Sequence, residues 1–445
     1  MTSPSTDQVS PQTLRRVIIA AGIGNFVEWF DFAVYGFLAT TIAQQFFPSG
    51  DASAALLKTF AVFAVAFAFR PLGGIFFGML GDRIGRKRTL AMTILLMAGA
   101  TTLIGLLPTY AAIGVAAPIL LSLIRCGQGF SAGGEYAGAC AYLMEHAPSD
   151  KRAWYGSFVP VSTFSAFAAA AVVAYALEAS LSAEAMGSWG WRLPFLIAAP
   201  LGLVGLYLRW KLDETPAFQA VKQEHAVAHS PLRETLRNHG AAICCLGAFV
   251  SLTALSFYMF TTYFATYLQV AGGLSRAVAL LVSLIALIFA AAICPLAGLY
   301  SDRVGRRVTV MTACVLLIVV VYPSFLMASS GSFAASVVGV MLLAVGAVLC
   351  GVVTAALLSE TFPTRTRYTA SAITYNMAYT IFGGTAPLVA TWLISTTGSN
   401  LSPAFYLIAV AVLALAGGLA LPETSRISLH EVGVEEKGAA PVLSR

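Results

Sequence analysis

The chain alternates long apolar stretches with short polar ones. Windows of about 19 residues between turn signals and charge clusters mark twelve apolar spans, at 17–42, 54–80, 89–107, 112–145, 155–178, 190–209, 239–270, 276–300, 308–328, 332–360, 368–395 and 402–421. Each is near or above the ~20 residues that cross a bilayer as helix. Every backbone polar group must be satisfied within the hydrocarbon, so the pattern predicts an all-α polytopic membrane protein with twelve transmembrane helices. The longest polar connection, 210–238, divides them six and six, into bundles at 17–209 and 239–421 with flanking tails at 1–16 and 422–445.

The polar segments repeat too. GMLGDRIGRKR (78–88) returns 220 residues later as GLYSDRVGRR (298–307), EHAPSDKRAW (145–154) has a shorter counterpart in ETFPTRTRY (360–368), and LDETP (212–216) is echoed by LPETS (421–425). The landmarks keep their order, so the bundles are read as pseudo-symmetric. Such duplication is the sign of a carrier with its site at the interface of the halves near the midplane. In the repeated turn Gly85 permits a positive φ, and Asp82 accepts hydrogen bonds from helix termini or pairs with an Arg. A solvated topogenic loop explains the charges but not a spacing found twice. Gly78, Asp82, Arg83, Gly85 and Arg86, with Asp302, Arg303, Gly305 and Arg306, are therefore read as a cytoplasmic gating element.

Only 10% of residues are charged, against ~25% in ordinary globular proteins. The net charge of +6 raises the question of nucleic-acid or acidic partners, but position answers it. Of 26 Lys and Arg, 21 fall on the side of the termini and three, Lys58, Arg192 and Arg276, on the other. The positive-inside rule places both termini in the cytoplasm, and no nucleic acid is expected. Seven cysteines without C-x-x-C spacing read as small hydrophobes. His225 and His229 lie on a polar linker, where a solvated face is the plainer reading, so no metal site is expected. Lys58-Thr59 follows Leu57, not Gly, so no phosphate-binding Walker loop exists. No cofactor is implied, and no catalytic cluster marks an enzyme.

Arg70 and Arg125 remain, both within spans. In span 1, Asn25, Glu28, Asp31 and Tyr35 form one polar stripe at helical spacing. A carboxylate at a helix centre costs about 2.5–3.5 kcal/mol on insertion scales, so two on one span must face a polar cavity. Groups so placed suit the loading and release of a proton; the alternative is a structural pair with a neighbour's Arg. In span 4, Arg125, Gln128, Ala132, Glu135 and Tyr136 fall within an arc of about 100° on a continuous helix. Arg70 or Arg125 either holds a solute carboxylate through its multidentate fork or neutralises Glu28, Asp31 or Glu135. Spans 7 and 11 offer hydroxyl and aromatic surface: Tyr258, Thr262, Tyr263 and Tyr267, then Tyr375, Asn376 and Tyr379, which packing alone also explains. Glu28, Asp31 and Glu135 against the two arginines sum to −1, and one proton brings the set to zero. A neutral site suits a zwitterion, whose ammonium Trp29, Tyr35 or Tyr136 would hold by cation–π attraction.

GNFVEWFDFAVYGF (24–37), FRPLGGIFFGMLGDRIGRK (69–87), QGFSAGGEYAGA (128–139) and WGWRLPF (189–195) resemble the metabolite:proton symporter family of the major facilitator superfamily, over 15–425. The N-terminal half is most similar to its proline/betaine branch; IFGGTAP (381–387) is more like the organic-acid carriers. The resemblance implies the major facilitator fold and proton-driven import of a small organic solute, by alternating access, across a bacterial inner membrane by a functional monomer. A zwitterion such as proline or glycine betaine is the first expectation, an organic acid such as α-ketoglutarate or citrate the second, and a uniport facilitator the third.

Overall fold

The computed structural model describes residues 11–48, 50–84, 86–134, 136, 140, 143, 144, 147, 148, 150–210, 231–362 and 367–425. Among them nine helices are long and apolar enough to cross a membrane: Ala52–Phe77, Arg152–Ser180, Gly190–Tyr207, Gly240–Val270, Arg276–Val304, Arg306–Ala328, Phe333–Glu360, Ala370–Thr397 and Ser402–Leu419. A bent pair, Gly22–Phe37 with Ala39–Phe46 at 62°, forms a tenth. The shorter apolar helix Ala91–Leu106 and the helix Ala116–Ser131 supply the third and fourth spans, giving twelve in chain order.

The packing carries the repeat. Span 1 packs on span 5, span 2 on span 4, and span 3 on spans 4 and 6; six places on, span 7 packs on span 11, span 8 on span 10, and span 9 on spans 10 and 12. Between the halves, span 5 lies on span 8 and span 2 on span 11. Those two contacts are images of each other under the same shift of six.

Helix starts follow local chemistry. Asp51 accepts from the Ser53 amide, and Ser275 and Ser332 accept from Val278 and Ala335, each supplying an orphan amide of a first turn. Pro231, which needs no amide partner there, opens the helix leading into span 7, eight residues before the expected boundary. The first helix likewise begins at Pro11, inside the expected tail.

Two departures shape the interior. Span 4 is not one continuous α-helix: it ends at Ser131 and passes into a 3-10 turn at 132–134, so a single arc from Arg125 to Tyr136 does not exist. The cause is crowding, since Gly129 and Gly133 lie directly against the backbone of Ala66, Arg70 and Gly74. Spans 7 and 11 each contain a π turn, Met259–Tyr263 and Tyr379–Gly383. An extra residue per turn rotates the remainder of each helix, so Tyr258, Thr262 and Tyr263 face different neighbours.

Candidate functional site

The close backbone approach of spans 2 and 4 leaves Arg70 buried where the halves meet. Its guanidinium carbon lies 5.3 Å from the Phe67 ring, 5.6 Å from Phe32 and 5.9 Å from Trp29. Its Nη2 donates to the Ala132 carbonyl at 3.3 Å and stands 3.7 Å from Glu28 Oε1. Its Nε and Nη1 make no hydrogen bond. Tyr258, Tyr375 and Tyr379 of the second half lie within electrostatic reach of it. The rings continue across the interface: Trp29 meets Tyr136 edge-on at 6.3 Å, Tyr136 stacks on Tyr375 at 4.7 Å, and Tyr375 on Tyr379 at 3.9 Å. The hydroxyls of Tyr258 and Tyr375 and the Asn376 Oδ1 have no hydrogen-bond partner.

Arg125 lies deeper in the first half. Its guanidinium stacks 4.2 Å from the Tyr35 ring, and its Nη1 donates to Gln128 Oε1 at 2.7 Å. Gln128 in turn donates to Thr101 at 2.6 Å. Thr101 neighbours the Asp31 carboxylate, which is wholly buried. Tyr35 donates to the Thr59 carbonyl. Asn25 is fully engaged: it donates to Val159, Ser162 and Thr163 of span 5 and accepts from the Trp29 indole at 2.9 Å. It fixes Trp29 rather than facing the interface. Thr262 packs its methyl against Gly36, and Asn376 and Thr380 donate across the halves to the carbonyls of Gly133 and Phe67.

At the end of the bundles that carries the repeated turn, Asp302 accepts from the amides of Ala153 and Trp154 at the start of span 5, at 3.0 and 2.9 Å, and from Arg306 Nη1 at 3.0 Å. Arg306 grips Glu360 with two bonds of 3.0 and 3.1 Å. Gly305 has φ +93, and a side chain there would strike Glu423, whose carboxylate accepts from the Arg306 and Arg307 amides at 2.8 and 3.0 Å. Partial burial pushes the Glu423 carboxyl up, but these bonds and that from Ser425 hold it below the usual carboxylate range. Arg303, the remaining member of the turn, is exposed.

The opposite end closes more lightly. Arg276 at the start of span 8 pairs with Glu178 at the end of span 5 at 3.5 Å, their side chains 22% and 18% exposed; Thr40 donates to Gln269 at 3.3 Å. Within the first bundle a cavity of about 10 Å³ lies beside Glu28, lined also by Val27, Thr93, Ile94, Met97 and Ser131. That is room for one water. The halves are thus apposed on both sides, an occluded arrangement.

Sequence reasoning did not single out Thr101, Phe67, Phe63, whose ring lies 5.1 Å from the Arg125 guanidinium, or Arg152, which stands 3.8 Å from Glu360 across the halves. Thr101 and Phe67 sit in runs of similar residues, and only the polar chain through Gln128 and the contact with Arg70 distinguish them. Glu135 and Gly85 lie outside the described residues, and of Gly78, Asp82, Arg83 and Arg86 only the helical backbone is described.

Comparison with known proteins agrees with this fold. A family model described as Major Facilitator Superfamily matches residues 21–387 and 295–444. The chain is 38% identical over 441 residues to the proline/betaine transporter of Salmonella typhimurium, covering 97% of this chain and 86% of that one. It is 39% identical, with the same coverage, to the glycine betaine/proline/ectoine/pipecolic acid transporter OusA of Dickeya dadantii. Among solved structures it resembles the partially occluded inward-open xylose transporter XylE of E. coli, with a TM-score of 0.73 at 18% identity over 94% of this chain and 99% of that one.

Proposed function

Because the chain belongs to the major facilitator superfamily, we propose that it is a proton-coupled symporter importing a small zwitterion, such as proline or glycine betaine, by alternating access. The observation that carries the reading is Arg70, buried at the meeting of the halves and surrounded by rings from both. A guanidinium takes a carboxylate, and aromatic faces take an alkylammonium. The relatives' names specify solutes with both groups. An organic acid with two or three carboxylates needs surplus positive charge; among the described residues Arg70 and Arg125 are matched by Glu28 and Asp31.

In this reading 17–209 and 239–421 are the moving bundles, joined by the cytoplasmic segment 210–238, with both termini cytoplasmic in a bacterial inner membrane. Glu28, Asp31 and Glu135 are the candidates for the proton. Arg70, Tyr136, Tyr258, Tyr375, Asn376 and Tyr379 contact the solute, while Asn25, Tyr35, Arg125, Gln128 and Thr262 support them. The two Gly-Asp-Arg turns gate the cytoplasmic side. The chain works as a monomer without cofactor. Uptake of radiolabelled proline, glycine betaine, α-ketoglutarate and citrate into proteoliposomes tests this. Accumulation of the first two under an inward proton gradient, abolished by a protonophore, is expected; accumulation that survives the protonophore and needs sodium or ATP would refute the coupling.

A further inference from the structure

Resting on the reading of the two bundles as moving parts, and not on the identity of the solute, we infer that Thr380 of span 11 is a positioning residue for Arg70. It holds the segment around Arg70 while the halves are apposed, by closing a backbone carbonyl that Pro71 leaves open. A proline has no amide to give to the carbonyl four residues back, and its ring pushes that carbonyl off the helix ladder. Four residues before Pro71 is Phe67, wholly buried in span 2. The Phe69 amide divides itself between the Ala66 and Phe67 carbonyls, and a bond to the residue two back is too bent to replace a ladder bond. At that depth no bulk water takes up the deficit. The Thr380 hydroxyl, from the opposite half, donates to the Phe67 carbonyl at 2.9 Å.

The same stretch of span 11 seats the Phe67 side chain. Gly384, one turn beyond Thr380, lies so close to the ring that a methyl there would collide with it. The ring itself lies 5.3 Å from the Arg70 guanidinium and 5.1 Å from the Tyr258 ring. Carbonyl and ring of one first-half residue are therefore both fixed by the second half, and with them the face that covers Arg70. One turn before Thr380, Asn376 donates at 3.0 Å to the Gly133 carbonyl, in the 3-10 turn that ends the α-helix of span 4. Span 11 thus meets both interruptions of helix beside Arg70. As the halves part, Thr380 withdraws, the Phe67 carbonyl passes to water, and the ring loses its seat and uncovers the guanidinium. Asp302 still holds the end that carries the repeated turn, so the parting begins at the opposite end.

The test compares Thr380→Val, which keeps the shape and loses the hydroxyl, with Thr380→Ser, which keeps the hydroxyl, each in the wild-type and the Pro71→Ala background. It uses the full chain in lipid without solute, its native cysteines replaced, with spin labels on Ser53→Cys and Thr397→Cys. Both positions are exposed, at the ends of spans 2 and 11 away from the repeated turn. Loss of the hydroxyl strands a buried carbonyl only while the halves are apposed, so Thr380→Val should raise the long-distance population about fivefold or more. Thr380→Ser should restore the wild-type distribution. Pro71→Ala supplies an amide that bonds Phe67 within span 2 however the halves stand, so in that background Thr380→Val should change the population by less than about twofold. A packing role would move both backgrounds alike. Equal shifts in the two backgrounds, no shift in either, or a Thr380→Ser protein as open as Thr380→Val overturns the inference and leaves zwitterion transport standing. The contrast of Ser with Val decides by itself if Pro71→Ala does not insert. A wild type with one label distance under every condition, solute present or absent, overturns the moving bundles and the role of Thr380 together.

Discussion

Asn25 shows how a residue conspicuous in the sequence can act at one remove. Its amide spends both donors on span 5 and its oxygen on the Trp29 indole, so it holds a ring that faces the interface. Asn25→Ala strands that buried indole N–H, at a cost of about 1–3 kcal/mol. Thermal unfolding in detergent should register the loss, and betaine affinity should fall with it while the Trp29 fluorescence shifts; unchanged fluorescence would break the link between the two residues. The polar stripe of span 1 was legible because its four members sit at helical spacing in apolar sequence. Which arginine stands at the interface was not. Arg125 looks central and Arg70 looks near a turn, yet Arg70 lies within electrostatic reach of Tyr258, Tyr375 and Tyr379 of the second half, whereas Arg125, stacked on Tyr35, is within reach of Tyr258. No pattern along one chain encodes the ring that will cover a guanidinium.

At the scale of elements, the twelve spans and their doubling were readable because hydrocarbon imposes length and polarity on every crossing. The break in span 4 and the two π turns were not, since both answer to neighbours. Where spans 2 and 4 cross, Gly73 and Gly129 bring backbone onto backbone, and a methyl on either would collide with the carbonyl of Phe130 or Ala66. Close approach through glycine is a membrane-helix device, and here it sets the position of Arg70. Gly73→Ala and Gly129→Ala should therefore prevent stable insertion or folding. Gly99→Ala, which meets nothing within 4 Å, should be silent. Monodisperse yield after extraction distinguishes them; equal yields for all three would mean that the crossing tolerates separation.

Across the whole molecule the two closures differ in kind. Asp302, itself held by Arg306 of its own half, ties the halves through the Ala153 and Trp154 amides, bonds to a charged group worth about 1.5–3 kcal/mol. The Arg276–Glu178 pair is partly exposed and worth about 0.2–1 kcal/mol. Asp302→Asn should shift the population toward cytoplasmic opening by about tenfold or more, whereas Glu178→Gln should shift it outward by less than about fivefold. Spin-label distances across the cytoplasmic ends of spans 5 and 8 read both; equal shifts would deny the asymmetry. This imbalance has a kinetic consequence. The empty carrier, once it has discharged inside, returns downhill to the state with its cytoplasmic end sealed, so its reset is fast and the loaded inward opening is slow. Solute preloaded inside the vesicle should then fail to accelerate the entry of labelled solute, and a marked acceleration would show that the empty return is the slow limb.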